Sequence, residues 1–316
     1  MEQAFYTENK DKTLAAYCLD DGQIIIKDLK CEKILFTLNL FNDNFDELRN
    51  EWLVILKFKF ISSSKYLIIS YGISYLYIVD IHEQMVVKKF HLFNEVVYDD
   101  NSFQDIDLCC YYAEHIRIDF SPDERYLAVR VRGNYDPQES DGRDVLFTPV
   151  YFRTIFIIDM LTLEMIFTYT YPGDTDKSYY DQNLAVIAFH PEEELIIAGT
   201  LGGMLKMFDF KQNKEICGFG KLEWISNSTR IDNRKLAAFI DNDTFVYVSE
   251  KKQIVCVRRG QDGTWNILNS LDVKDELIDG ELIMDIEYKT EENKLILYIN
   301  TYGYKDKIKE VNCNFY

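Results

Sequence analysis

The chain has little of what recognisable chemistry is built from. Its four histidines, His82, His91, His115 and His190, stand in no His-x-His or His-Glu-x-x-His spacing, and its seven cysteines form no Cys-x-x-Cys pair. No zinc site is therefore expected, and no other metal or cofactor. There is no Gly-x-Ser-x-Gly elbow to hold a serine nucleophile. The run Gly199-Thr200-Leu201-Gly202-Gly203 is similar to a phosphate loop but lacks its Gly-Lys-Ser/Thr ending, and it falls where a hairpin turn is due. The pairs Asp99-Asp100 and Asp105 with Asp107 lack the regular oxygen-ligand loop of a calcium site. No catalytic residue is expected.

Long hydrophobic runs are also missing. Stretches such as Tyr66–Ser70 and Ile155–Ile158 fall far short of the ~20 apolar residues a membrane helix needs. The start, Met1-Glu2-Gln3-Ala4-Phe5, has neither a basic opening nor an apolar stretch, so no secretory signal is expected. An odd number of scattered cysteines, with Cys109 and Cys110 pointing to opposite faces if they lie in a strand, fits reduced thiols better than a disulfide framework. The expected location is cytoplasmic. Positive charge is in short supply too, with 35 Lys and Arg against 53 Asp and Glu, a formal net charge of −18. Such a surface repels phosphate backbones and anionic lipid, so direct nucleic-acid or membrane binding is not expected, and a basic partner is favoured.

Aromatic and β-favouring residues, in contrast, are plentiful. Hydrophobic residues make up 47% of the 316 and aromatics 15%, among them 22 Tyr and 21 Phe, the side chains that suit a pleated, half-buried surface. They recur with a period of roughly 50 residues, in the range of propeller blades. Four segments share one frame, an aromatic, a polar turn and a second apolar strand. They begin at Phe60, Phe120, Phe189 and Tyr288. Further along most units a third strand ends in an aspartate followed by an apolar residue, at Asp28-Leu29, Asp80-Ile81, Asp159-Met160 and Asp209-Phe210, and a fourth strand follows. Four short strands joined by tight turns form a meander that cannot bury both faces alone and must stack on its neighbours.

The Ser121-Pro122-Asp123 and His190-Pro191-Glu192 turns, with these aspartates, resemble the WD40 repeat family over nearly the whole chain. Lys27, Val79, Ile158 and Phe208 stand where that family has tryptophan, and no Gly-His pair precedes a first strand. The expected fold is an all-β propeller of WD40-like four-stranded blades, a single domain over 1–316. Six blades are expected, at about 3–40, 52–93, 112–170, 183–219, 220–272 and 281–316, the last with only three strands. Seven would follow if 94–111 holds a degenerate blade.

In such a meander the second-to-third turn and the blade-to-blade connection return to the same end. The long loops 40–51, 94–109, 133–149, 172–183 and 272–281 all belong to that set and are rich in carboxylates. Long loops on a repeat scaffold carry function at little cost to the fold. The candidate partner-binding residues are Asp43, Asp46, Glu47, Asp99, Asp100, Phe103, Asp105, Asp107, Tyr135, Asp136, Asp141, Asp144, Asp174, Asp176, Tyr179 and Tyr180. The aromatics would act as anchors and the carboxylates as an attracting field. The resemblance implies a non-enzymatic protein–protein interaction scaffold, here binding a basic protein or peptide. Two alternatives stay open: a propeller enzyme with a metal or carboxylate site in its central channel, and a neutralising partner of a basic toxin or nucleic-acid-binding protein. The oligomeric state is left open by the sequence.

Overall fold

A computed structural model describes residues 5–19, 23–40, 56–61, 64–71, 75–92, 111–135, 150–171, 184–200, 204–222, 236–249, 252–273, 282–291, 294–302 and 307–313. Among them there is no α-helix, and a single residue, Leu92, has 3₁₀ conformation. The strands form six antiparallel sheets, five of four strands and one of three, each strand pairing with the next in sequence. Sheet one holds β1 (Phe5–Glu8), β2 (Leu14–Cys18), β3 (Gln23–Asp28) and β4 (Lys33–Asn39). Sheet two holds β5 (Leu56–Phe60), β6 (Tyr66–Tyr71), β7 (Tyr75–Asp80) and β8 (Met85–His91). Sheet three holds β9 (Tyr111–Phe120), β10 (Tyr126–Tyr135), β11 (Val150–Asp159) and β12 (Glu164–Tyr171). Sheet four holds β13 (Leu184–Phe189), β14 (Leu195–Thr200), β15 (Met204–Asp209) and β16 (Lys214–Lys221). Sheet five holds β17 (Ala237–Asp241), β18 (Thr244–Val248), β19 (Gln253–Arg259) and β20 (Trp265–Asp272). Sheet six holds β21 (Leu282–Glu291), β22 (Lys294–Tyr302) and β23 (Lys307–Cys313). The possible seventh unit at 94–111 lies, except for its last residue, outside the described residues.

The core is laid down in layers between successive sheets. Ile24 and Ile26 of sheet one pack with Leu67, Ile69 and Val79 of sheet two. Ile68 and Ile78 pack with Leu127, Val129 and Phe156 of sheet three. Tyr126, Ile155 and Ile157 meet Ile196, Phe208 and Phe210 of sheet four, and Ile197, Leu205 and Met207 meet Phe245 and Val257 of sheet five. First strands stand beside first strands, β1 by β5, β13 by β17 and β17 by β21. Meanders stacked face to face with their first strands adjacent are the blades of a β-propeller.

This stacking explains the apolar runs. A middle strand is covered on both faces, so it reads as continuous hydrophobic sequence rather than alternation. Leu76–Ile81 and Thr154–Met160 are buried at every position. Fourth strands are less covered, and each one bulges. In sheet one Ile26 faces Phe36 while Lys27 faces Ile34, leaving Leu35 as the extra residue. Val87, Ile166, Ile216 and Leu268 occupy the same place in the next four sheets. A bulge bends and twists the outer strand, which blunts a sheet edge against unwanted pairing.

Candidate functional site

The first-to-second and third-to-fourth turns of the sheets share one end of the propeller. The repeated aspartates organise it. The Asp28 carboxylate accepts backbone N–H groups of Lys30 at 2.7 Å and Cys31 at 3.2 Å. Asp80 accepts those of His82 and Glu83 at 2.8 and 3.1 Å. Asp209 accepts those of Lys211 and Gln212 at 3.1 and 2.8 Å, and Asp159 that of Leu161 at 2.8 Å. Four residues after each aspartate the chain turns left-handed, at Glu32, Gln84, Leu163 and Asn213, with φ of 53–57°. The side chain thus satisfies donors that a tight turn would leave open. These backbone donors hold the Asp28 carboxyl below the usual carboxylate range. Sheet five lacks the aspartate, having Arg258 in its place opposite Thr244, and its turn closes instead through Gly263 at φ 82° with Asp262 accepting from Thr264.

The same end carries ties between sheets. Asn9 Nδ2 donates to Ser64 Oγ at 2.8 Å, joining sheets one and two. Lys59 Nζ donates to the Ile118 carbonyl at 3.1 Å, joining two and three. Sheets four and five are joined by His190 Nε2 and the Asn242 carbonyl at 2.6 Å and by Arg259 with Glu193 at 2.6 Å. Beside these contacts lies a cleft of ≈ 560 Å³ lined by residues including Pro191, Asp241, Asp243 and Arg258. Its carboxylates and guanidinium groups offset one another, so it presents no field of one sign. Glu194 is held below the usual carboxylate range by its hydrogen bond to Lys211, 3.1 Å away.

The long-connection end is defined by its stems. Tyr135, the one candidate residue on a described strand, closes β10 opposite Tyr111 of β9 and Val150 of β11. The other candidates, Asp43, Asp46, Glu47, Asp99, Asp100, Phe103, Asp105, Asp107, Asp136, Asp141, Asp144, Asp174, Asp176, Tyr179 and Tyr180, lie outside the described residues. Connections leave the sheets at this end from buried residues, namely Leu92, Tyr171, Leu222 and Val273. Burial pushes the Tyr171 phenol well above its ordinary range. Gly199, at the end of the stretch similar to a phosphate loop, lies in β14, where a Cβ would meet Leu222 Cδ1 at 2.7 Å. That close approach accounts for the glycine by packing. Among the described residues no three His, Cys, Asp or Glu side chains gather in a group able to hold a metal ion.

The stacked meanders define a β-propeller, one end of which carries the aspartate-capped turns and the ties between sheets. The chain is similar in structure to the β-propeller domain of Cps50 (Swd1) from Myceliophteria thermophila, at 11% identity and a TM-score of 0.45, over 97% of this chain and 85% of that one. It is also similar to BamB from Moraxella catarrhalis, at 12% identity and a TM-score of 0.42, over 97% of this chain and 72% of that one. No family model matches the sequence, and no curated protein does.

Proposed function

We propose that this propeller is a non-enzymatic protein-interaction scaffold whose long-connection end binds a basic protein or peptide. One relationship carries the reading. The meander order runs second-to-third turns and sheet-to-sheet connections to the end opposite the aspartate-capped turns, and five of these connections, 40–51, 94–109, 133–149, 172–183 and 272–281, hold 21 of the 53 Asp and Glu of a chain with a net charge of −18. Clustered negative charge speeds encounter with a cationic partner, and aromatics such as Phe103, Tyr135, Tyr179 and Tyr180 provide contact area once it has docked.

A pull-down from native cells, read by mass spectrometry, should return basic proteins. Replacing Asp99, Asp100, Asp105 and Asp107 with lysine should slow association with such a partner by about tenfold at low salt, and by less at high salt. The control reverses Glu32, Glu83 and Glu192, which are exposed on the tight-turn end. Glu193 and Glu194 are unsuitable there because Arg259 and Lys211 engage them. Equal loss of binding in the control, or an acidic partner, would overturn the assignment.

A further inference from the structure

Sheet five breaks the repeat in two places that meet at one point of the surface. In sheets one to four, six residues separate the last pair of the first two strands, at 9–14, 61–66, 121–126 and 190–195. In sheets five and six only two do, at 242–243 and 292–293. The end that carries the aspartate-capped turns therefore has a step between sheet four and sheet five.

The second break lies in the third strand. The N–H groups of Leu29, Ile81, Met160 and Phe210 donate to carbonyls of the first turn, and that of Arg259 donates to the Asp243 carbonyl in the same way. Arg258 and Arg259 thus replace the aspartate and the apolar residue of the first four sheets. Ile81, Met160 and Phe210 are buried, whereas both arginines are half-buried. The ≈ 560 Å³ cleft lies at the step, lined by Pro191 of the longer turn and by Ile240–Thr244, Arg258 and Arg259 of sheet five. A sequence departs from its own local rules where a site or a strain takes their place. The fold accounts for Arg259, through Glu193 at 2.6 Å and the Trp265 ring at 5.7 Å. That tie does not account for the short turn or for Arg258.

We propose that this cleft binds a ligand with a carboxylate and an ammonium group close together, either a free amino acid or the neighbouring acidic and basic side chains of a partner segment. Its volume falls within the ~300–1,000 Å³ of ligand sites. A guanidinium holds a carboxylate through two parallel N–H donors, and Arg258 brings that chemistry to a place where four sheets have an acid. Asp241 accepts the Asp243 N–H at 2.8 Å and closes the turn, while the exposed Asp243 carboxylate stands outside that cap and takes the ammonium. An anion alone meets the carboxylates and a cation alone meets the guanidinium, so the cleft selects against both. This proposal does not rest on the long-connection end, where the partner is basic.

The test follows the backbone amide NMR shifts of 240–244, 258 and 259 in the full chain. Alanine and the capped dipeptide acetyl-Lys-Glu-amide each carry both groups, and N-acetylalanine and alaninamide are the carboxylate-only and ammonium-only controls. At least one of the first two should shift these amides saturably, and both controls should bind at least tenfold more weakly. Saturation by alanine alone assigns the site to a free amino acid, and by the dipeptide alone to a partner segment. Arg258→Gln should weaken the bound ligand about tenfold, and so should Asp243→Asn, which changes an exposed side chain and leaves the capping N–H in place. Three results would overturn the proposal: no saturable shift, a control that binds as well, or unchanged affinity in Asp243→Asn.

Discussion

His190 and Asn242, fifty-two residues apart, lock two sheets together through a buried imidazole. The His190 Nδ1 accepts the backbone N–H groups of Glu192 at 3.1 Å and Glu193 at 2.9 Å. The proton therefore resides on Nε2, which donates to the Asn242 carbonyl 2.6 Å away. The ring also lies edge-on to Phe239 at 4.9 Å and to Trp265 at 6.5 Å.

Replacing His190 with alanine removes three hydrogen bonds and a 2%-exposed ring from between two sheets. The loss of stability should be about 2–3 kcal/mol. His190→Asn should recover part of it, since an amide oxygen can cap the turn but does not span to Asn242. Urea unfolding followed by tryptophan fluorescence reports both, because Trp265 sits against the ring. Equal loss in the two variants would show that the turn cap contributes nothing.

The capped turns predict an acid dependence. Folding lowers the pKa of Asp28, first through the backbone N–H of Cys31 and then through that of Lys30. Its stabilisation is therefore complete above the carboxyl's unfolded value and is lost as pH falls through the folded one. Carbon-detected titration should give Asp28 a midpoint below the ordinary aspartate value, and Asp28→Asn should shallow the acid limb of the stability curve. A midpoint at or above the ordinary value would contradict the capping role.

Left-handed turn positions should reward glycine. Glu32 is exposed at φ 55°, a conformation that costs an L-residue ~1–2 kcal/mol. Glu32→Gly should stabilise the protein by about 0.5 kcal/mol once the greater freedom of glycine in the unfolded chain is offset. Glu32→Val should destabilise it. Thermal unfolding of both variants is sufficient, and the same sign for the two would show that φ does not govern this turn.

Thiol reactivity should follow burial. Cys31 is exposed, whereas Cys256 is fully buried and burial pushes its thiol up to about 11. A thiol reagent near neutral pH should modify Cys31 within minutes and Cys256 only after denaturation, because the thiolate is the reacting form. Peptide mapping separates the two. Modification of Cys256 in the native protein at a comparable rate would contradict the packing of β19 against its neighbours.

The stacked meanders were legible because each is local. Phe120-Ser121-Pro122-Asp123 and its counterparts mark a turn within a few residues, and the recurring Asp28, Asp80, Asp159 and Asp209 mark the next. Their work as turn caps needs only the three or four residues that follow, so recurrence in sequence was enough to find them. His190 was legible only by half. It reads as a turn residue, which it is, but its partner Asn242 belongs to another sheet and no local pattern joins them. Sheet five departs from the pattern because Arg258 stands where the others have aspartate, which the sequence shows, while the ion pair of its neighbour Arg259 with Glu193 was not legible there.

Local rules, in sum of their effects, let the sequence alone determine an all-β chain of repeated hairpins, the places of the aspartate-bearing turns and the acidic character of the long connections. Tertiary structure decided which residues lie between sheets. It buried Leu76–Ile81 and Thr154–Met160 on both faces, and placed Leu35 and its equivalents in bulges. The reason is physical: a turn is closed by neighbours in the chain, but a bulge, a buried face or a tie between blades exists only when separate sheets come within contact distance.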